Sequence, residues 1–196
     1  EEDFANQDVT TQSTVNNTHE SKADIIAMEE LIFSGAEIIP HFFDCKVQMN
    51  VSDGDLLSKG QVIGTIIGNS QLILSRERVM LNIIQRLCGI ATHTKSYVDL
   101  ATPFNVKILD TRKTTPGMRI FEKYAVKCGG GYNHRFDLSK GVLIKDNHIQ
   151  SAGSITLALK KISKDYWIEL EVDTIEQIFE GLENNVNGFL LDNMSP

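Results

Sequence analysis

Residues 106–149 read VKILDTRKTTPGMRIFEKYAVKCGGGYNHRFDLSKGVLIKDNHI, and the fold is decided there. Two short apolar, β-rich runs, 106–109 and 142–144, predict strands, and each ends abruptly in charge. Asp110, Arg112 and Lys113 follow the first; Lys145, Asp146 and His148 follow the second. Helix punctuation lies between them. Thr115 is placed to cap, Pro116 suits a first turn, and Gly129 suits a left-handed C-terminal residue. Strand, helix, strand with polar residues at the strand exits predicts a βαβ unit that carries a site.

Charge agrees with that assignment. Residues 107–148 hold nine Lys and Arg against four Asp and Glu, a net of +5 in a chain whose total is −7. A basic cleft in an acidic protein focuses its field on a small anion. The same balance argues against a general nucleic-acid binder, which needs a broad basic face. No apolar run approaches the ~20 residues of a membrane span, and no signal-peptide layout is present. Cys45, Cys88 and Cys128 are odd in number and lack diagnostic spacing, which suits reduced thiols in a cytoplasmic protein. The chain opens on Glu rather than Met, so a trimmed start is expected.

Upstream, residues 1–21 are polar and predict a loop or arm. Residues 22–36 and 45–51 carry half-buried strand patterns, with a short helix over 38–43. Asp53-Gly54 and Lys59-Gly60 predict tight hairpin turns in a small sheet. Lys59 lacks the neighbours of a biotinyl or lipoyl attachment site, so a structural sheet is the expectation. Residues 75–101 form the longest helical pattern, with Val79, Ile83, Leu87 and Ile90 on one stripe and Met80, Ile84 and Ala91 widening it. Ser75 is placed to cap this helix and Gly89 to interrupt it or permit close packing. On periodicity alone Arg76, Arg78 and Arg86 are solvated.

Downstream, the alternation continues. A capped helix is predicted over 154–162, a strand over 167–172, a capping box at Thr174 and Gln177, and a strand over 188–191. Four successive strand exits therefore carry ionisable groups: Arg112 with Lys113, then Lys145, Glu171 and Asp192. In a parallel α/β barrel these ends share one face, where the chemistry sits. Cations on early exits suit a substrate with carboxylates, because Arg offers a planar fork. Glu171 and Asp192 suit Mg²⁺, its water shell or ribose hydroxyls. Gly129-Gly130-Gly131 matches neither a dinucleotide fingerprint nor a P-loop, and His134 has no partner at a hydrolytic-triad spacing.

These residues resemble the quinolinate phosphoribosyltransferase family. The resemblance runs through Glu77-Arg78, Gly89 to Thr92, Asp110 to Thr114 with Pro116-Gly117, Glu122 to Val126, Gly129 to Arg135, Lys145 to His148, Glu169 to Glu171 and Leu191 to Asn193. It spans nearly the whole chain, with Cys88 where many members have Ser. It implies an N-terminal α/β sandwich with its connecting helix over 1–104, then an incomplete α/β barrel over 105–196. It implies conversion of quinolinate and phosphoribosyl pyrophosphate to nicotinate mononucleotide, pyrophosphate and CO₂ with Mg²⁺, in NAD biosynthesis, by a homodimer. Carried over by position, Arg112, His134, Arg135 and Lys145 hold the quinolinate carboxylates, and Arg78 reaches the pocket from the partner subunit. Lys113, Glu171 and Asp192 serve the phosphoribosyl side and its metal, with Glu169 and His148 in secondary roles. The family continues past the fourth barrel strand where this sequence stops, so a fragment or a lost remainder is expected. A paralogue with another substrate and a truncated binding-only protein share the same scaffold.

Overall fold

Asp8 begins the first helix. In the computed structural model, which describes residues 2–3, 5–163 and 165–195, its carboxylate accepts the Thr11 amide at 2.9 Å and caps α1 (Val9–Thr14). A 3-10 turn, Ala5–Gln7, precedes it. The polar stretch expected as an arm is therefore helical over these residues; residues 1 and 4 lie outside the described set. A local cap, rather than an apolar stripe, organises this helix, so composition alone misjudged it.

Strands β1 (Glu20–Ile26), β2 (Leu31–Ile32), β3 (Lys46–Met49), β4 (Leu56–Leu57) and β5 (Val62–Asn69) follow, with the expected short helix a 3-10 turn at Ile39–Phe42. β5 is central, antiparallel to β1 from Glu20 opposite Asn69 to Ile26 opposite Val62, and to β3 from Lys46 opposite Ile67. β2 pairs with β4. Backbone bonds from Ala27 to Gln61 (3.0 Å) and from Phe33 to Asp55 (2.9 Å) extend the β1–β5 and β2–β4 pairings respectively. The Asp53-Gly54 and Lys59-Gly60 turns exist, but neither closes a hairpin. The strands on either side of Gly60, β4 and β5, each pair with earlier strands instead.

The apolar faces of these strands meet one long helix, α2 (Ser70–Ala101). Phe33, Ile39 and Leu57 are completely buried, and Ile66 nearly so, against Ile73, Met80, Ile84 and Cys88. Each such side chain contributes roughly 1.5–3 kcal/mol. The buried stripe runs through Ile73, Met80, Ile84, Leu87, Cys88 and Ala91, while Val79, Ile83 and Ile90 flank it. The N-cap is Asn69 rather than Ser75, its side chain accepting the Leu72 amide at 3.2 Å. The helix starts five residues earlier than expected because β5 runs into it without a loop. Gly89 interrupts nothing: it is exposed and an added Cβ would meet no atom within 4 Å.

Residues 106–109 do not form the expected strand. They reduce to a single parallel bridge between Leu109 and Tyr132, flanked by Tyr132 N to Ile108 O (2.8 Å) and Asp110 N to Tyr132 O (3.0 Å). Helix α3 spans Arg119–Cys128 and begins after a turn over 115–118, so Met118 and not Thr115 is its N-cap. At its end Gly129 has φ −75°; Gly130 takes the left-handed conformation, φ +84°. Gly129 is required by space instead, since a Cβ there would lie 2.4 Å from the Ala91 carbonyl oxygen of α2.

The chain divides into two compact units, Glu1–His134 and Arg135–Pro196. In the second, β6 (Val142–Ile144), β7 (Ile168–Val172) and β8 (Gly188–Leu191) form a parallel sheet in that order. Helices α4 (Asp146–Ala152), α5 (Ile155–Leu159) and α6 (Ile175–Glu183) connect the strands. Ile144, Leu170 and Val172 pack with Ile155 and Leu159 on the helical side. Ser154 caps α5, and the Thr174/Gln177 capping box opens α6 as expected. The α/β class stands, with a sandwich of sheets and helix first and part of a parallel β/α barrel second.

Candidate active site

The predicted residues fall in both units: Arg78, Arg112, Lys113 and His134 in the first, Arg135, Lys145, Glu171 and Asp192 in the second. In the first unit a buried polar node sets the geometry. Lys123, on α3 and 1% exposed, donates to Asp110 at 2.5 Å and to the His134 carbonyl at 3.1 Å. The same Asp110 oxygen accepts the His134 amide at 2.8 Å. Asn133, its amide nitrogen turned toward two acceptors, donates to the other Asp110 oxygen (2.8 Å) and the Lys123 carbonyl (2.9 Å). A charge this deep persists only when paired and hydrogen-bonded, and Lys123 and Asp110 meet both conditions.

This node fixes the start of the loop 110–115, which carries Arg112 and Lys113. Its other end is held at Thr115, whose amide donates to Glu122 at 3.2 Å. Arg86 of α2 grips the same carboxylate through Nε (3.0 Å) and Nη2, and Nη2 also donates to the Thr115 hydroxyl. Burial acts to raise the Glu122 pKa, but the bonds from Arg86 and Thr115 hold it below the usual carboxylate range. Arg119 donates to Thr114 Oγ1 (3.1 Å) and to the Arg112 carbonyl (3.4 Å). Among the described residues Arg86 is therefore engaged rather than solvated, and Arg76 likewise bonds Asp44 and the Phe42 carbonyl.

The two predicted cations on this loop are poised differently. Arg112 has its Nε buried with no acceptor among the described residues. Lys113 is exposed; its backbone amide bonds Thr111 Oγ1 at 2.9 Å. Arg78 is exposed on α2, and its side chain makes no hydrogen bond or ion pair among the described residues. A buried guanidinium donor without an acceptor carries a desolvation cost that an incoming anion relieves.

In the second unit, strand alternation arranges the set. Leu170 and Val172 of β7 face the helices, which places Glu169 and Glu171 on the opposite face. Lys145 follows Ile144, which lies opposite Leu170, and its ammonium forms an ion pair with Glu171. On β8 Phe189 packs with the helices, so Leu190, opposite Glu171, and Asp192 two positions on share that same face. Asp192 is exposed and its amide donates to the Val172 carbonyl at 3.0 Å. His148 is occupied structurally: its Nδ1 accepts the Lys145 amide at 3.0 Å and helps open α4. Arg135 donates to the Gly141 carbonyl at 3.4 Å. No group of three or more His, Cys, Asp and Glu side chains close enough to hold a metal occurs among the described residues.

Sequence reasoning missed Arg86, Arg119, Glu122 and Lys123 as parts of the site's frame. Arg119, Glu122 and Lys123 lie at helical spacing on one face of α3, a signal available in the sequence. Arg86 meets Glu122 across 36 positions, which no local spacing reveals.

Two family descriptions match this chain: the N-terminal domain of quinolinate phosphoribosyl transferase over residues 8–88, and its C-terminal domain over 90–196. A probable nicotinate-nucleotide pyrophosphorylase (carboxylating) of Bacillus subtilis is 46% identical over all of this chain and 70% of its own length. A mitochondrial quinolinate phosphoribosyltransferase (decarboxylating) of Nicotiana glauca is 41% identical over 95% of this chain, which spans 58% of that protein. The crystal structure of nicotinate-nucleotide pyrophosphorylase from Ehrlichia chaffeensis superposes with a TM-score of 0.92 at 42% identity, covering 99% of this chain and 74% of that one.

Proposed function

The chain belongs to the quinolinate phosphoribosyltransferase family, and on that premise we propose that it transfers the phosphoribosyl group to quinolinate with loss of CO₂. One observation carries the assignment to these residues: the buried Arg112 Nε that has no acceptor among the described residues, beside Lys113 on a fixed loop. A dicarboxylate supplies the missing acceptor, and a fork-shaped donor binds it in two places. Arg112, His134, Arg135 and Lys145 take the carboxylate-binding roles, with Lys113, Glu171 and Asp192 on the phosphoribosyl side. Arg78 acts from a partner subunit in a homodimer, and the protein works in the cytoplasm.

In the first step the pyridine nitrogen forms a bond to the ribose carbon as the bond to pyrophosphate breaks. The carboxylates of Glu171 and Asp192 stabilise the positive charge that develops on the ribose. In the second step the bond to the carboxylate beside the ring nitrogen breaks; the electron pair stays on the ring carbon, is stabilised by the cationic ring and takes up a proton. The carboxylates of Glu171 and Asp192, on one face of neighbouring strands, would hold a Mg²⁺, a hard cation that prefers oxygen donors. Such an ion supplies charge neutralisation on the departing pyrophosphate. Freeing Glu171 for that role requires Lys145 to exchange its ion pair for a substrate carboxylate.

Calorimetric titration with quinolinate and with nicotinate, which lacks one carboxylate, tests the assignment. Quinolinate is expected to bind at least ten-fold more tightly, on the order of one lost charge-assisted bond. Equal affinity for the two would contradict it.

A further inference from the structure

We propose that Arg86 and Glu122 are positioning residues, a clamp that holds the 110–115 loop so that Arg112 meets its substrate preordered. It rests on the carboxylate-binding role of Arg112 given above. Neither loop cation fixes itself: among the described residues the side chains of Arg112 and Lys113 make no hydrogen bond. Their backbone is fixed from outside instead. Asp110 is tied to Lys123, and Arg119 reaches Thr114 Oγ1 and the Arg112 carbonyl. The far end depends on Glu122, one oxygen of which takes the Thr115 amide while the other takes both Nε and Nη2 of Arg86.

The shape of this contact is what a clamp needs. Two donors on one oxygen fix the guanidinium plane, and a third bond from Nη2 fixes the Thr115 hydroxyl. Lysine cannot reproduce that fork. The Arg86 side chain is 47% exposed, so the pair adds little to global stability. Its consequence is local: the loop is ordered before substrate arrives, and binding does not have to order it. Without Arg86, Glu122 loses both guanidinium donors and is left to Thr115, whose amide bond at 3.2 Å is the longest in the clamp.

The test uses the complete natural chain. Quinolinate Kd and Tm are measured for wild type, Arg86→Ala, Arg86→Lys, Arg112→Ala and the Arg86→Ala/Arg112→Ala double variant. Arg86→Ala is expected to weaken quinolinate about ten-fold, within the range of coupled neighbours, with little change in Tm. In the Arg112→Ala background the same change should cost less than about two-fold, because the group it positions is gone. Arg86→Lys should restore only part of the affinity. Equal losses in both backgrounds, or an unchanged Kd, would overturn the clamp. If wild type binds no quinolinate, the functional assignment fails and hydrogen exchange decides the clamp separately. Glu122→Gln should then speed exchange at the Thr115 amide while α2 stays protected; unchanged exchange there would overturn the clamp on its own.

Discussion

The residues that matter most differ in how far they are withdrawn from water, and that decides what each change costs. Arg112 and Arg135 are two of the proposed carboxylate binders, so Arg112→Ala and Arg135→Ala should each weaken quinolinate by about 1.5–3 kcal/mol, roughly one to two decades. Phosphoribosyl pyrophosphate affinity should hold within a few-fold, and calorimetry with each ligand separates the two. Lys123 is a different case. Replacing it with Met leaves Asp110 buried and unpaired, an expected loss of about 3–5 kcal/mol readable in urea unfolding. Glu122 links the loop to pH. Its carboxyl titrates below the ordinary 4.5 in the fold, so its stabilisation is complete above that value. It is lost as pH falls through the lower folded-state value. Glu122→Gln should therefore flatten the acid limb of Tm against pH only slightly, in line with the pair's small share of global stability, and leave the limb above pH 6 parallel to wild type.

At the scale of elements, capping and close approach decide what the sequence discloses. The strands 142–144 and 188–191 were legible as apolar runs and 168–172 as alternating apolar and acidic residues, each between turn signals and with its partners in the same sheet. Residues 106–109 carry a similar pattern yet form one bridge, because a strand exists only where a neighbour offers its backbone. Helices α1 and α4 escaped for a common reason. Val9–Thr14 and Asp146–Ala152 are short and polar, and their starts are fixed by Asp8 and by the His148 bond to the Lys145 amide. The start of α2 escaped because Ser70, buried and bonded to His19 and Ser21 at 2.6 Å, reads as loop chemistry. Lys145, Glu171 and Asp192 were legible by position, at or beside the ends of parallel strands; the frame around Arg112 was not, since Arg86, Glu122 and Thr115 meet only through packing. The cap at Thr174 gives a direct check: Thr174→Ala should cost about 1 kcal/mol by urea unfolding. An unchanged midpoint would mean Gln177 closes the helix start without it.

For the whole molecule, similarity extends over both family domains, while the chain spans 70% of its Bacillus subtilis relative. No helix among the described residues is long and apolar enough to cross a membrane. Leu100 near the end of α2 and Phe104 in the turn after it are 73% and 77% exposed. Arg78, exposed on the same helix, is the residue proposed to act in trans. Mixing an Arg78→Ala chain with a Lys145→Ala chain should return part of the lost activity. The heterodimer then has one site carrying both lesions and one intact. Heterodimers that form without recovery would place Arg78 in its own subunit's site.

The most direct measurement follows quinolinate labelled in the carboxyl group beside the ring nitrogen, supplied with phosphoribosyl pyrophosphate and Mg²⁺ to the complete natural chain. One labelled CO₂ and one pyrophosphate should appear for each nicotinate mononucleotide formed, with no CO₂ when phosphoribosyl pyrophosphate is omitted. Absence of product, or a nucleotide that retains both carboxylates, would contradict the assignment.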